Sequence, residues 1–115
     1  MLKTAVKQQF DRELRLADNA AAAGDAREAF RHLERAHVLG QSDTAAHTRV
    51  HWLMLKHGLR ERDAGEAAGQ MLRIAGAATK TPFGIYPKGN TGGASVSPFK
   101  PMPIDEDLRK ILESE

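Results

Sequence analysis

Ala23-Gly24-Asp25-Ala26-Arg27-Glu28-Ala29-Phe30-Arg31-His32-Leu33-Glu34-Arg35-Ala36-His37-Val38-Leu39-Gly40 reads as one helix with its own start and stop. Gly24 closes whatever precedes it, and Asp25 can cap the first free N–H groups of a new helix. Ala29, Phe30, Leu33 and Ala36 then recur three and four residues apart, which gathers them on one face. Gly40 ends the run. The stretch therefore predicts a helix over about 26–39 that needs a partner for its apolar side.

Both flanks supply one. Upstream, Val6, Phe10, Leu14 and Ala17 predict a helix from about Lys3 to Ala22. Downstream, Ser42 or Asp43 can cap a third helix that runs to about His57, with Gly58 beyond it. Its expected core stripe is Thr48, Trp52, Leu55 and Leu59. Val50, Leu53 and Met54 add apolar surface on other sides, as expected of a helix with more than one neighbour. A fourth helix spans about Arg62 to Ala77, with Ala64, Ala67, Met71, Ile74 and Ala78 on one face. Short connections imply antiparallel packing. Gly58 follows Gly24 at the tetratricopeptide period, and Ala23-Gly24-Asp25-x-x-x-Ala29 resembles the turn and second helix of that repeat. The second copy departs from it, with Asp63 in place of Ala29 and Gln70 in place of Ala36. The expected fold is all-α: four antiparallel helices as two tetratricopeptide-like hairpins over residues 1–78.

Residues 79–104 hold all five prolines, so they cannot continue the helices. Phe83, Ile85, Tyr86, Val96, Phe99 and Met102 punctuate the stretch, and a disordered segment would be poor in such residues. An ordered Pro/Gly-rich strap over the helices is expected instead. A last short helix, about Asp105 to Leu112, places Leu108, Ile111 and Leu112 on one side. Residues 79–115 should thus pack on the same domain as 1–78.

A chain of 115 residues suffices for one domain with a modest core. A net charge of +2 with no basic tract argues against a nucleic-acid partner. No apolar run is long enough for a membrane span, and the first residues lack the pattern of a signal peptide. The chain has no cysteine, which excludes disulfides and thiolate ligands and leads to the expectation of a cytoplasmic protein.

Chemistry concentrates in the histidines. All five (His32, His37, His47, His51 and His57) lie in one window. Glu34-x-x-His37 and His47-x-x-x-His51 each put two side chains on one helix face. With about 100° between successive residues, His37 clusters with Phe30 and Leu33 and so faces inward. His47, His51 and Met54 form a stripe on helix 3. His32 falls off the inward face and His57 near a helix end, so both are expected at the surface. Glu66 and Gln70 line an edge of helix 4. Buried charge is costly unless it is paired or bound to a metal. A divalent ion held by Glu34, His37, His47, His51 and Glu66, supplemented by Asp63 or Glu13, is therefore expected. Such N/O ligands suit iron, zinc or manganese, and Met54 leaves copper open. Metal-assisted hydrolysis or oxidation would be the reaction class, and nothing selects between them.

The competing reading is a hydrogen-bonded polar core in a helical module that binds a protein or peptide and no metal. A third is an apolar pocket under the strap lined by Trp52, Phe83, Tyr86 and Phe99. Lys88-Gly89-Asn90-Thr91-Gly92-Gly93 lacks the flanks of a phosphate loop and reads as a tight turn with positive φ at glycines. Ser95 and Ser97 have no spacing to a histidine that would make a nucleophile–base pair.

Four runs carry a family resemblance: His32 to Gln41, Val50-His51-Trp52-x-Met54-Leu55, Gly89 to Gly93, and Val96-Ser97-Pro98-Phe99-x-Pro101-Met102-Pro103-Ile104. They resemble a small uncharacterised bacterial helical family, domain of unknown function 3703. The resemblance covers nearly the whole chain, with matches at Glu34, His37, Gln41, His47, His51 and Gln70. Asp105 departs from the family motif, which usually continues with Pro. The resemblance implies no activity.

Overall fold

The computed structural model describes residues 1–97 and 99–114. Five α-helices follow one another: α1 (Thr4–Ala22), α2 (Ala26–Gly40), α3 (Thr44–Arg60), α4 (Ala64–Lys80) and α5 (Glu106–Glu113). One 3-10 turn, Thr81–Phe83, follows α4 directly. Three-residue turns join the first four helices, and each turn ends in an aspartate. Asp25, Asp43 and Asp63 accept hydrogen bonds from the N–H groups of Glu28, Ala46 and Glu66. Each cap is worth about 1 kcal/mol. Asp63 is thereby committed to capping α4 and does not join the histidines as a supplementary ligand.

α1 packs on α2 and α3 on α4, and α2 against α3 joins the two hairpins. The core is continuous across them. Val6, Phe10, Leu14 and Ala17 of α1 meet Leu33, Ala36 and Leu39 of α2 and Val50 and Met54 of α3. Full burial of Leu39 and Met54 contributes roughly 1.5–3 kcal/mol each. The α1–α2 turn closes on Gly24 at φ +78°, a conformation that favours glycine.

The expected stripe of α3 needs correction. Trp52 and Leu59 are exposed, while Ala46, His47, Val50, His51, Met54 and Leu55 are buried. α3 lies between α2 and α4, so its buried face follows its neighbours rather than its largest side chain. On α4 the buried positions are Ala67, Gln70 and Ala77, and Met71 is exposed. The face is turned one residue from that expected, and a glutamine occupies its centre.

After the 3-10 turn, residues 84–105 run without helix or strand among those described. They are tied down by Gln41 from the α2–α3 turn and by Asn90 within the connection itself. Gln41 donates from Nε2 to Pro87 O and accepts at Oε1 from Gly89 N–H, both at 2.8 Å. Asn90 donates from Nδ2 to Ser97 O and Lys100 O. An eight-residue helix is not stable alone. α5 is held by Leu108, 1% exposed in the core, and by Arg35, which bonds Asp105 and Asp107.

Candidate metal centre

His37 stands in the last turn of α2, where Gly40 and Gln41 turn the chain toward α3. His47 and His51 stand one turn apart on the first half of α3, facing it. All three are buried, at 2%, 6% and 3% exposure. Their rings converge edge to face: the His37 centroid is 4.8 Å from that of His47 and 4.6 Å from that of His51. Nε2 of His37 is 3.0 Å from Nε2 of His51 and 3.1 Å from Nε2 of His47. One nitrogen from each lies within 4.8 Å of the others. Nitrogens about 2.0–2.1 Å from one ion are about 3.3 Å apart on a tetrahedron and about 2.9 Å apart on an octahedral face. The contacts around His37 fall between these values.

The opposite ring nitrogens explain why the His37–His51 contact is not an ordinary hydrogen bond. His37 Nδ1 is 2.6 Å from the carbonyl oxygen of Asn90, which can only accept. His51 Nδ1 is 2.6 Å from Gln70 Oε1. The orientation of that amide is fixed, because Gln70 Nε2 donates to Glu66 and to Gly92 O. Both Nδ1 atoms therefore carry the proton, and both Nε2 atoms present lone pairs to each other at 3.0 Å. His47 Nδ1 meets the Thr81 hydroxyl at 2.7 Å, which leaves its Nε2 facing the same point. Burial pushes the His47 and His51 pKa values down to about 4, with the neighbouring His51 charge adding for His47. His37 falls well below its ordinary value for the same reason, reinforced by His51 and His47. Two neutral imidazoles, His37 and His51, thus present unshared pairs to each other, and His47 adds a third when its Nδ1–H donates to the Thr81 hydroxyl. Such an arrangement is repulsive when empty and could hold a divalent metal ion.

The outer partners come from three places: Gln70 on α4, Thr81 after it, and Asn90 in the long connection. Metal-bound histidines characteristically give their second N–H to such acceptors, which fix tautomer and ring direction. Gly92 makes the enclosure tight. Its φ is +86°, and a Cβ there would lie 2.6 Å from His37 Cδ2. The glycine-rich turn thus lies against the ring of His37, with Gly89 also at positive φ as expected.

The two carboxylates expected beside the histidines are engaged elsewhere. Glu34 is half-buried and bonds Thr91; burial and the nearby Glu66 raise its pKa. Glu66 accepts from Gln70 and from Ala94 N–H, so it reaches His51 through Gln70. Glu13 is buried on the other side of α2, where it pairs with His32 Nδ1 at 2.9 Å and Arg35 Nε at 2.8 Å. His32 is therefore a buried partner of Glu13 rather than a surface residue. His57 is also buried, its ring against Phe30. Thr81 and Asn90 carry no motif that ties them to the histidines. Their hydrogen bonds to His47 and His37 could not be read from local spacing.

One side of the triad is open. A cavity of about 560 Å³ is lined by His37, His47 and His51, by Arg73 and Lys80, and by apolar residues including Leu72, Ile85, Tyr86 and Phe99. Tyr86 and Phe99 take the places expected of them, whereas Trp52 and Phe83 do not line it.

Residues 4–112 match the model of a family described as protein of unknown function (DUF3703). The chain belongs to that family. No curated protein and no solved structure matches it. The DUF3703 description assigns no chemistry, so the site must be argued from its own residues. No helix among the described residues of this DUF3703 member is long and apolar enough to cross a membrane.

Proposed function

We propose that the protein binds one divalent metal ion through Nε2 of His37, His47 and His51, with a remaining coordination position toward the cavity. The observation that carries this is the His37–His51 Nε2 contact at 3.0 Å, whose opposite nitrogens face the acceptors Asn90 O and Gln70 Oε1, with His47 Nε2 3.1 Å from the same His37 nitrogen. Lone pairs are brought together only where something positive lies between them. Glu66 then serves as the outermost support of His51 through Gln70, and Glu34 anchors Thr91 beside the site. Three neutral imidazoles accept zinc, iron, manganese or copper, with manganese held least tightly. A bound ion of this kind supplies Lewis-acid polarisation or a water of lowered pKa. The chain contributes fixed tautomers at His37 and His51, a hydroxyl partner for His47, and apolar walls that restrict water.

Elemental analysis of protein purified without a histidine tag tests the reading. One metal per chain is expected, and none in a His47→Ala/His51→Ala variant that still folds. A metal-free protein whose double variant is equally stable would instead support a hydrogen-bonded core in a helical interaction module.

A further inference from the structure

The charge around the cavity is one-sided. Arg73 and Lys80 line it, and among the described residues no aspartate or glutamate does. The nearest carboxylates are used elsewhere: Glu66 by Gln70 and Ala94, and Glu34 by Thr91. A metal on the triad would add two more positive charges, because its three ligands bind as neutral imidazoles. Lys80 is exposed and Arg73 half-buried, so the charge that needs a counter-ion is that of the ion on the buried triad, and no described side chain lining the cavity supplies one.

The rest of the lining specifies what that anion is attached to. Leu72, Ile85 and Phe99 are 77%, 61% and 76% exposed, and all three stand at this cavity. Lys80 Nζ lies 5.6 Å from the Phe99 ring centroid, so a cation and an aromatic face share the rim. A volume of about 560 Å³ is within the range of small-molecule sites. Phosphate is disfavoured by the backbone. The N–H groups of Gly89, Asn90 and Gly92 already donate to Gln41 Oε1, Pro87 O and Asn90 Oδ1, so the glycine turn offers no anion nest there.

We propose that this cavity receives a small organic monocarboxylate with an apolar body. Its carboxylate faces the triad and the Arg73–Lys80 side, and its hydrocarbon part lies against Leu72, Ile85 and Phe99. The assignment rests on the reading of the triad as a metal site.

Cobalt(II)-loaded full-length protein separates the two claims. Visible d–d bands report the metal, and their change on adding 4-phenylbutyrate reports entry of the carboxylate, with calorimetry giving affinity. Binding roughly tenfold or more tighter than that of neutral 4-phenylbutyramide is expected, as for a charge-assisted contact. Lys80→Met should weaken the carboxylate roughly threefold or more and leave the amide unchanged, as removal of one charge contact implies. If cobalt binds but its spectrum and the calorimetry ignore phenylbutyrate, the ligand assignment is overturned and the metal reading stands. Equal affinity for acid and amide, or tighter binding of inorganic phosphate, also overturns it. If cobalt does not bind, the metal reading falls and takes the ligand assignment with it.

Discussion

Replacing Gln70 by leucine removes the one side chain that links His51, Glu66 and the glycine turn. Gln70 is fully buried, accepts from His51 Nδ1 at 2.6 Å, and donates to Gly92 O at 2.8 Å and to Glu66. Leucine has a similar volume, so the cost is chiefly polar. His51 Nδ1–H and Gly92 O are left buried without these partners, at about 1–3 kcal/mol each, or about 2–6 kcal/mol together. Glu66 is only partly buried and can turn to water. Against a typical domain stability of about 5–15 kcal/mol, the variant should fold but melt early. Its metal affinity should fall about 10–100-fold, because the tautomer and direction of His51 are no longer fixed. Competition against a chromophoric chelator gives the affinity, and urea unfolding of metal-free protein gives the stability. Unchanged metal affinity in a folded Gln70→Leu protein would refute the role assigned to the outer partners.

Three other outcomes follow from the same geometry. Gly92→Ala forces a side chain into φ +86° and onto His37 at 2.6 Å, so it should lower both melting temperature and metal affinity; a normal melt would show that the turn does not press on His37. In metal-free protein, His47 and His51 titrate near 4 and His37 well below its ordinary 6.5, with Arg73 opposing the charging of His37 and His51. The unfolded chain therefore binds more protons below about 6.5, and stability should be flat above that pH and fall toward pH 4 by up to about 1.4 kcal/mol per pH unit for each histidine. A urea midpoint unchanged between pH 7 and pH 5 would contradict their burial as neutral rings. Arg35→Ala leaves Glu13, which is 2% exposed, with His32 and Gln9 as partners and releases Asp105 and Asp107. Loss of about 1.5–3 kcal/mol is expected there, as for hydrogen bonds to a charged group, whereas Arg109→Ala, in an exposed cluster, should leave the midpoint of the same denaturation assay nearly unchanged.

The helices were legible because their signals are local. Aspartate caps and the Gly24 turn sit within a few residues of what they control, although α3 runs through Gly58 to Arg60, and Val6, Phe10, Leu14 and Ala17 repeat cleanly. The inward turn of His37 followed from its register with Leu33. What failed depended on neighbours distant in sequence. Trp52 drew the expected core of α3 toward itself because it is large and apolar, yet it is 54% exposed. His32 looked solvated because its buried partner Glu13 acts from α1, where Arg35 also holds it. Glu34 shares an edge with His37 by spacing alone, but Thr91 comes from the far end of the chain to take it. Gln70 was visible as a polar residue at a repeat position meant for alanine. Its bond to His51 requires the α3–α4 packing, which spacing does not give.

X-ray absorption at the metal edge of loaded, tag-free protein tests the central claim most directly. Three nitrogen ligands at about 2.0–2.1 Å with the multiple-scattering pattern of imidazole are expected, completed by a light-atom ligand from the cavity side. A shell built from oxygen, or one with fewer than three imidazoles, would contradict the assignment of His37, His47 and His51 as the metal centre.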